Sequence, residues 1–212
     1  MNHNIANIRT DYTLKGLHES DLEVNPLHQF TKWFNEVLAS GLEEPNAMIL
    51  GTIHHQFPTS RVVLLKDLDT GFKFFTNYLS SKGRDMEKNP NVSLTFFWKE
   101  LQRQVRIEGI VEKTTAAESD AYFESRPRGS QIGAWVSIQS SVIANREVLE
   151  IATQEFETKF EGIPVPRPEH WGGYRVIPRY VEFWQGRPSR LHDRLAYIKI
   201  DEDNWRIERL SP

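Results

Sequence analysis

A chain of 212 residues is long enough for one sizeable core, and 39% hydrophobic with 26% charged residues is a globular balance that excludes a disordered or fibrous protein. The net charge of -3 excludes the broad basic footprint of a general nucleic-acid binder, so a phosphate ligand has to be held by local cations. The absence of cysteine excludes disulfides, thiolate zinc sites and cysteine nucleophiles. MNHNIANIRTDYTLKG carries no apolar leader region and no stretch approaches the roughly 18 apolar residues of a membrane span, so the expected compartment is the cytoplasm.

Asn25-Pro26 offers a capping side chain and a proline at the first helical position. Leu27, Phe30, Trp33, Phe34, Val37 and Leu38 then recur at helical spacing, which predicts a helix ending at Gly41. From Ala47 the texture changes to short β-branched and aromatic runs. Strands are expected over AMILGTI, RVVLLKDL, FKFFTNY, NVSLTFFW and QVRIEGIVEK, separated by turns such as Asp69-Thr70-Gly71 and Asn89-Pro90-Asn91. A short helix capped by Ser80 or Ser81 interrupts them before Pro90. Thr115-Ala-Ala-Glu118 is a capping box that opens a second helix, running through Tyr122 to Arg126 before Pro127. A third spans Asn145 to Phe160, with Val148, Leu149, Ala152, Phe156 and Phe160 on one face. After the proline-broken GIPVPRPEHWGG, strands return in YRVIPRYVEFW, RLHDRLAYIKI and WRIERL, the last two forming a hairpin about Asp203-Asn204. The pattern is α+β, mainly antiparallel β, built on a barrel. Residues 1–20 are expected to be a flexible N-terminal segment and residues 21–212 a single domain.

Three clusters could hold an anionic ligand. In VEFWQGRPSRLHDR an extended strand would point Arg190, His192 and Arg194 to one face, with Trp184 nearby as a flat apolar wall. The plainer reading is a solvated charge ladder. In AYFESRPRGSQIGAW, Tyr122 and Arg126 are four apart on one helical face and Ser130 follows the Pro127 break; phenol, guanidinium and hydroxyl together make a phosphate grip, or an amphipathic helix with snorkelling side chains. In TNYLSSKGRD, hydroxyls, Lys82 and a glycine fall at a helix start, where N–H groups favour an anion. Arg61 and Lys66 are five apart and face opposite sides of a regular strand, so both reach one ligand only at a strand end or bulge. His54 and His55 are adjacent in a strand and so are expected on opposite faces, unsuited to sharing a metal. Asp67 and Asp69 read as solvated turn residues, and His170-Trp171-Gly172-Gly173 as a packed loop. No HExxH, GxSxG or P-loop pattern occurs.

In order, RVVLLK, TNYLSSKG, RQV, YFESRPRGSQIGAWVS, QSS, WGGYRV and VEFWQGRPSRLHDR resemble the pyridoxine (pyridoxamine) 5'-phosphate oxidase family over nearly the whole chain. The resemblance implies a split β-barrel that binds FMN. It also implies a homodimer with two active sites at the subunit interface. The implied reaction is oxidation of pyridoxine or pyridoxamine 5'-phosphate by O2 to pyridoxal 5'-phosphate, with release of H2O2 and, from the amine, ammonia. Carried over by position, Arg61, Val62, Val63, Leu64, Leu65, Lys66, Phe75, Thr76, Ser81, Lys82, Gln104, Gln139, Ser140, Trp184 and Arg194 would line the FMN. Lys66, Tyr122, Arg126 and Ser130 would grip the substrate phosphate, and Arg190, Leu191 and His192 would cover the pyridine ring, with Arg190 and His192 the catalytic pair. Arg9 and Tyr12 would belong to a segment folding over the substrate. The family's Ser-Arg-Lys is here Ser80-Ser81-Lys82, a neutral hydroxyl where a cation is expected, with Arg84 a candidate to compensate. The alternatives are another flavin oxidoreductase on the same barrel, or a non-catalytic carrier of FMN or pyridoxal phosphate.

Overall fold

The computed structural model describes residue 7 and residues 11–212, so Arg9 lies outside the described residues. The helices are α1 (Pro26–Ala39), α2 (Ser81–Lys88), α3 (Ala116–Glu124), α4 (Arg128–Val136) and α5 (Glu147–Lys159). The strands are β1 (Ala47–His54), β2 (Phe57–Leu64), β3 (Asp67–Leu68), β4 (Phe72–Asn77), β5 (Asn91–Trp98), β6 (Arg103–Lys113), β7 (Trp171–Gln185), β8 (Asp193–Lys199) and β9 (Trp205–Arg209). They pair in the order β2-β1-β5-β6-β7-β4-β3, with β8 on β7 and β9 on β8. The β3–β4, β4–β7, β7–β8 and β8–β9 pairs are antiparallel, as expected of short strands separated by turn residues. The described residues group into two compact units: one drawn from the stretch up to Ile49, Ser93–Glu108 and Pro178–Pro212, the other from Leu50–Val92 and Gly109–Ile177.

In the first unit α1 starts as its sequence demands. Asn25 Oδ1 accepts the Leu27 N–H at 2.8 Å and Pro26 fills the first turn, where no N–H is needed. Its buried face of Phe30, Trp33 and Val37 meets Phe96, Trp98 and Phe183. Each fully buried Phe there contributes about 1.5–3 kcal/mol relative to exposure. The expected β8–β9 hairpin is present, its turn held by Asp201 Oδ1, which accepts the Asn204 N–H at 3.0 Å.

In the second unit β4 is buried along both faces and pairs with β7 from Phe72↔Val176 to Asn77↔Trp171. Ser80, not Ser81, caps α2, its Oγ accepting the Gly83 N–H at 3.2 Å. The Thr115 capping box opens α3 as expected, with Thr115 and Glu118 exchanging bonds at 2.9 and 3.2 Å. A cluster of Phe123, Ile132, Ala134, Phe160, Val165 and Trp171 joins the helices to the start of β7.

Several expectations are corrected. RVVLLKDL is not one strand: β2 ends at Leu64 and β3 begins at Asp67, because Leu65 turns inward and the Lys66 N–H bonds Lys73 O at 2.9 Å. The α3 helix stops at Glu124, leaving Arg126 in the turn before Pro127. Pro127 then starts α4, which the glycines at 129 and 133 disguised; a residue without an N–H suits a helix start as well as it ends one. No residue of α5 itself is buried and Val148 of its apolar stripe is exposed, while Phe160 of that stripe is buried just past the helix end. Asp67 and Asp69 are not simply solvated. Lys73 reaches both, at 2.8 and 2.7 Å, and Glu118 at 2.9 Å, while Arg175 binds Asp69, Glu112 and Glu118. Backbone and side-chain bonds from Thr115 and Lys73 lower the Glu118 carboxyl to about 2, so this lattice stays charged. His55 has a positive φ of 55° and turns its ring to within 4.5 Å of His54, so the two are not on opposite faces.

Candidate active site

A cavity of about 610 Å³ opens in the second unit. It brings together Val62, Val63 and Leu64 of β2, Lys66, Phe75 and Thr76 of β4, Lys82 of α2, Tyr122 of α3, Arg126, Ser130 of α4 and Gln139. The bend after β2 explains how Lys66 joins residues of that strand despite the parity expected of a straight one.

One end of the cavity centres on Lys82. Its ammonium is buried and donates to Thr76 Oγ1 at 3.1 Å, Ser80 Oγ at 3.3 Å and Gln139 Oε1 at 3.2 Å, all neutral oxygens. Burial, and then the charge of Arg61, lower its pKa to about 8. Gly83 is required here, since a Cβ would stand 2.0 Å from Tyr78 O. Arg61 does not line the cavity. It donates to Thr52 Oγ1 at 2.7 Å and Thr59 Oγ1 at 2.9 Å, and its pKa is lowered by burial against the opposing charge of Asp85. Ser81 presents its N–H to Ser140 Oγ at 3.1 Å, and Leu65 is buried. Arg84 is exposed and donates to Leu79 O.

At another part of the wall, the Arg126 guanidinium lies 4.4 Å over the Trp171 ring, and its Nη1 is buried with no hydrogen-bond partner. Burial lowers its pKa. Tyr122 stacks on Phe75 at 4.0 Å. A half-buried guanidinium with no carboxylate partner among the described residues and a buried ammonium among neutral oxygens both suit anions.

The remaining predicted residues lie in the first unit. Arg190, His192 and Arg194 do not share a strand face: Arg190 closes a 3-10 turn over Pro188–Arg190 with φ 63°, and β8 begins only at Asp193. The positive φ of Ser189 and Arg190 turns the chain before the expected strand can begin. Arg190 and Leu191 are exposed. Arg194 forks onto Glu182 at 2.8 and 3.1 Å, so its charge is already partnered. Gln104 is half-buried on β6. Trp184 meets His192 at 4.6 Å and Tyr12 at 5.7 Å. His192 Nδ1 accepts the Arg187 N–H at 3.1 Å, which leaves the ring proton on Nε2. Burial, and then Arg190, lower its pKa.

The family model for pyridoxamine 5'-phosphate oxidase matches residues 34–160, and that for the pyridoxine 5'-phosphate oxidase C-terminal dimerisation region matches residues 171–212. The chain belongs to the pyridoxine/pyridoxamine 5'-phosphate oxidase family. It is 56% identical to a pyridoxine/pyridoxamine 5'-phosphate oxidase of Nostoc punctiforme, with all of both chains covered. It is 53% identical to one of Cupriavidus metallidurans, over 98% of this chain and 99% of the relative. Among solved structures, PhzG from Burkholderia lata in complex with tetrahydrophenazine-1-carboxylic acid superposes with a TM-score of 0.88 at 27% identity, over 96% of this chain and all of that one. A pyridoxamine 5'-phosphate oxidase-related, FMN binding protein of Nostoc punctiforme superposes with a TM-score of 0.70 at 14% identity, over 90% of this chain and all of that one, which speaks for the fold alone.

As a member of this oxidase family the chain is an oxidoreductase with the family's split-barrel fold. Sequence reasoning passed over Asn77, Ser137 and Trp171, which also line the cavity. For Trp171 a signal was present in the two glycines that follow it. A Cβ on Gly172 would meet the Tyr78 hydroxyl at 2.0 Å, so only glycine lets β7 start this close to Tyr78.

Proposed function

We propose that this chain binds FMN and oxidises pyridoxine 5'-phosphate or pyridoxamine 5'-phosphate with O2 to pyridoxal 5'-phosphate, releasing H2O2 and, from the amine, ammonia. The observation that carries this reading is a single cavity whose wall holds three cations, Lys66, Lys82 and Arg126, with no ion-pair partner among the described residues, beside apolar and aromatic side chains. Two phosphorylated molecules, a cofactor and a substrate, match that arrangement.

Lys82, Thr76, Gln139, Ser81 and Ser140 would hold the FMN phosphate, with Arg61 outside the cavity wall adding positive potential through the charge Lys82 already feels, while Val62 to Leu64, Lys66 and Phe75 line its body; the family's pattern also assigns Leu65, Gln104, Trp184 and Arg194 to FMN. When bound, FMN supplies the two-electron acceptor chemistry, with O2 as the final acceptor. The protein's own part is positioning. Lys66, Tyr122, Arg126 and Ser130 would hold the substrate phosphate, remote from the reacting carbon, so its binding energy serves orientation. Arg190 and Leu191 would cover the pyridine ring, and His192, neutral with its proton on Nε2, is suited to moving the hydroxyl or amine proton. The match of residues 171–212 to a dimerisation region supports a homodimer with active sites at the subunit interface. The packing of Tyr12 on Trp184 and His192 supports a covering role for the N-terminal segment, which with Arg9 we assign to residues 1–20, leaving residues 21–212 as the FMN-binding domain. Among the described residues no helix is long and apolar enough to cross a membrane, and we place the enzyme in the cytoplasm. Likeness to PhzG favours, as a second reading, oxidation of a different ring substrate; the unpartnered Arg126 favours a phosphorylated one.

The test adds pyridoxine 5'-phosphate anaerobically to FMN-reconstituted protein, follows the flavin absorbance, then admits air and follows aldehyde. Bleaching, recovery and product are expected. An oxidised spectrum that persists with substrate bound would exclude the oxidase reading. Ser81→Arg, which adds a cation beside Lys82, is expected to tighten FMN binding roughly tenfold to a hundredfold by a charge-assisted bond; an unchanged FMN affinity would show that the hydroxyl costs nothing here.

A further inference from the structure

We propose that Trp171 is a positioning residue of the substrate-phosphate grip, holding Arg126 by its ring face so that the guanidinium stays fixed, charged and free to donate. The role rests on the oxidase reading of the cavity. A buried guanidinium is ordinarily fixed by a carboxylate, which would also neutralise it and compete with the phosphate. Among the described residues no carboxylate pairs with Arg126. The guanidinium carbon lies 4.4 Å from the Trp171 centroid and 5.4 Å from that of Phe123, and Nη1 is buried without a hydrogen-bond partner. An aromatic face attracts the cation through its quadrupole while accepting none of its in-plane N–H bonds. Arg126 is thereby held in place with its donors unspent.

Trp171 is itself anchored. The residue is 7% exposed, its backbone N–H donates to Pro168 O at 3.0 Å, and its backbone carbonyl accepts from Arg167 Nη1 at 2.7 Å. The same Arg167 binds Asp120 of α3 at 2.6 Å, which ties the helix leading to Arg126 to the strand that carries Trp171. The indole also lies nearly parallel to Tyr122, 9° between planes at 6.2 Å, and to Phe75, 15° at 5.7 Å. One ring therefore aligns two of the groups assigned to the phosphate, Arg126 by cation–π contact and Tyr122 by stacking.

The experiment compares Trp171→Phe and Trp171→Met in the FMN-loaded enzyme, measuring KM and kcat for pyridoxine 5'-phosphate, inhibition by inorganic phosphate, and flavin content. Trp171→Met fills the space without a π face; it is expected to raise KM and the phosphate inhibition constant about tenfold to thirtyfold, with kcat within about twofold and flavin content unchanged. Trp171→Phe should recover most of the loss. In an Arg126→Met background, Trp171→Met should add little further, because the ring acts through that guanidinium. Equal damage from Phe and Met, additive losses in the double variant, or a joint fall in kcat and flavin content would each overturn the proposal in favour of simple packing. If the unaltered enzyme does not oxidise pyridoxine 5'-phosphate, the functional reading fails. The positioning role is then decided by the inorganic phosphate arm alone, measured as a binding constant: weaker binding in Trp171→Met with recovery in Trp171→Phe upholds it, and unchanged binding overturns it.

Discussion

Arg126→Met is expected to raise the KM for pyridoxine 5'-phosphate about a hundredfold while the enzyme retains its FMN. Among the described residues the guanidinium has no ion-pair partner and its buried Nη1 has no hydrogen-bond partner, so charge-assisted bonding there is open to a ligand. Removing a hydrogen-bonded charge of this kind costs about 1.5–3 kcal/mol, and the other groups proposed for the phosphate, Lys66, Tyr122 and Ser130, include only one other cation. The apoprotein should not lose stability in proportion, because the native state already bears the desolvation of this cation, the cause of its lowered pKa. Oxidation of unphosphorylated pyridoxine, slow in both proteins, should be nearly the same in both. Steady-state kinetics with the two substrates decides the matter: equal loss on both would move Arg126 out of the phosphate grip, and loss of flavin would move it to the cofactor.

Lys82→Met should have the opposite balance, abolishing retention of FMN on gel filtration while raising the melting temperature of the apoprotein. The folded pKa of Lys82 is lowered from 10.5 to about 8, so the unfolded chain holds the proton more tightly. The shift corresponds to a penalty on the order of 3 kcal/mol on the charged form near neutral pH, which methionine removes. Apoprotein stability should therefore rise with pH between about 8 and 10.5, the window in which the unfolded chain binds more protons than the folded one. FMN affinity should run the other way. A phosphate favours the protonated ammonium, so binding should be tightest below about pH 8 and weaken as pH rises past it. Fluorescence titration of FMN across that range checks the sign; an affinity that is flat through pH 8 and unaltered by Lys82→Met would remove Lys82 from the cofactor site.

Local signals carried much of the architecture. Asn25-Pro26, Ser80 and the Thr115–Glu118 box each cap a helix through bonds spanning two or three residues, and β-branched and aromatic runs between turn residues placed β5 and the β8–β9 hairpin. Where two local rules competed, the reading failed. Pro127 is both the stop that its ring predicts and the start of α4, and the strand expected from Arg190 begins only at Asp193, because Arg190 sits in a turn at positive φ.

The sequence by itself determined the helix caps, the antiparallel texture and, through its ordered motifs, the family to which the chain belongs. Only the tertiary structure decided which charges are neutralised. Lys73, Asp67, Asp69 and Arg175 form a closed lattice, whereas Lys82 meets neutral oxygens, one of them on Gln139, 57 residues away. Likewise the Arg126 guanidinium rests on Trp171 from the start of a later strand. Caps and periodicity act over a turn of chain, but the free energy of a charge is set by every group around it, and those groups are assembled only when distant segments fold together.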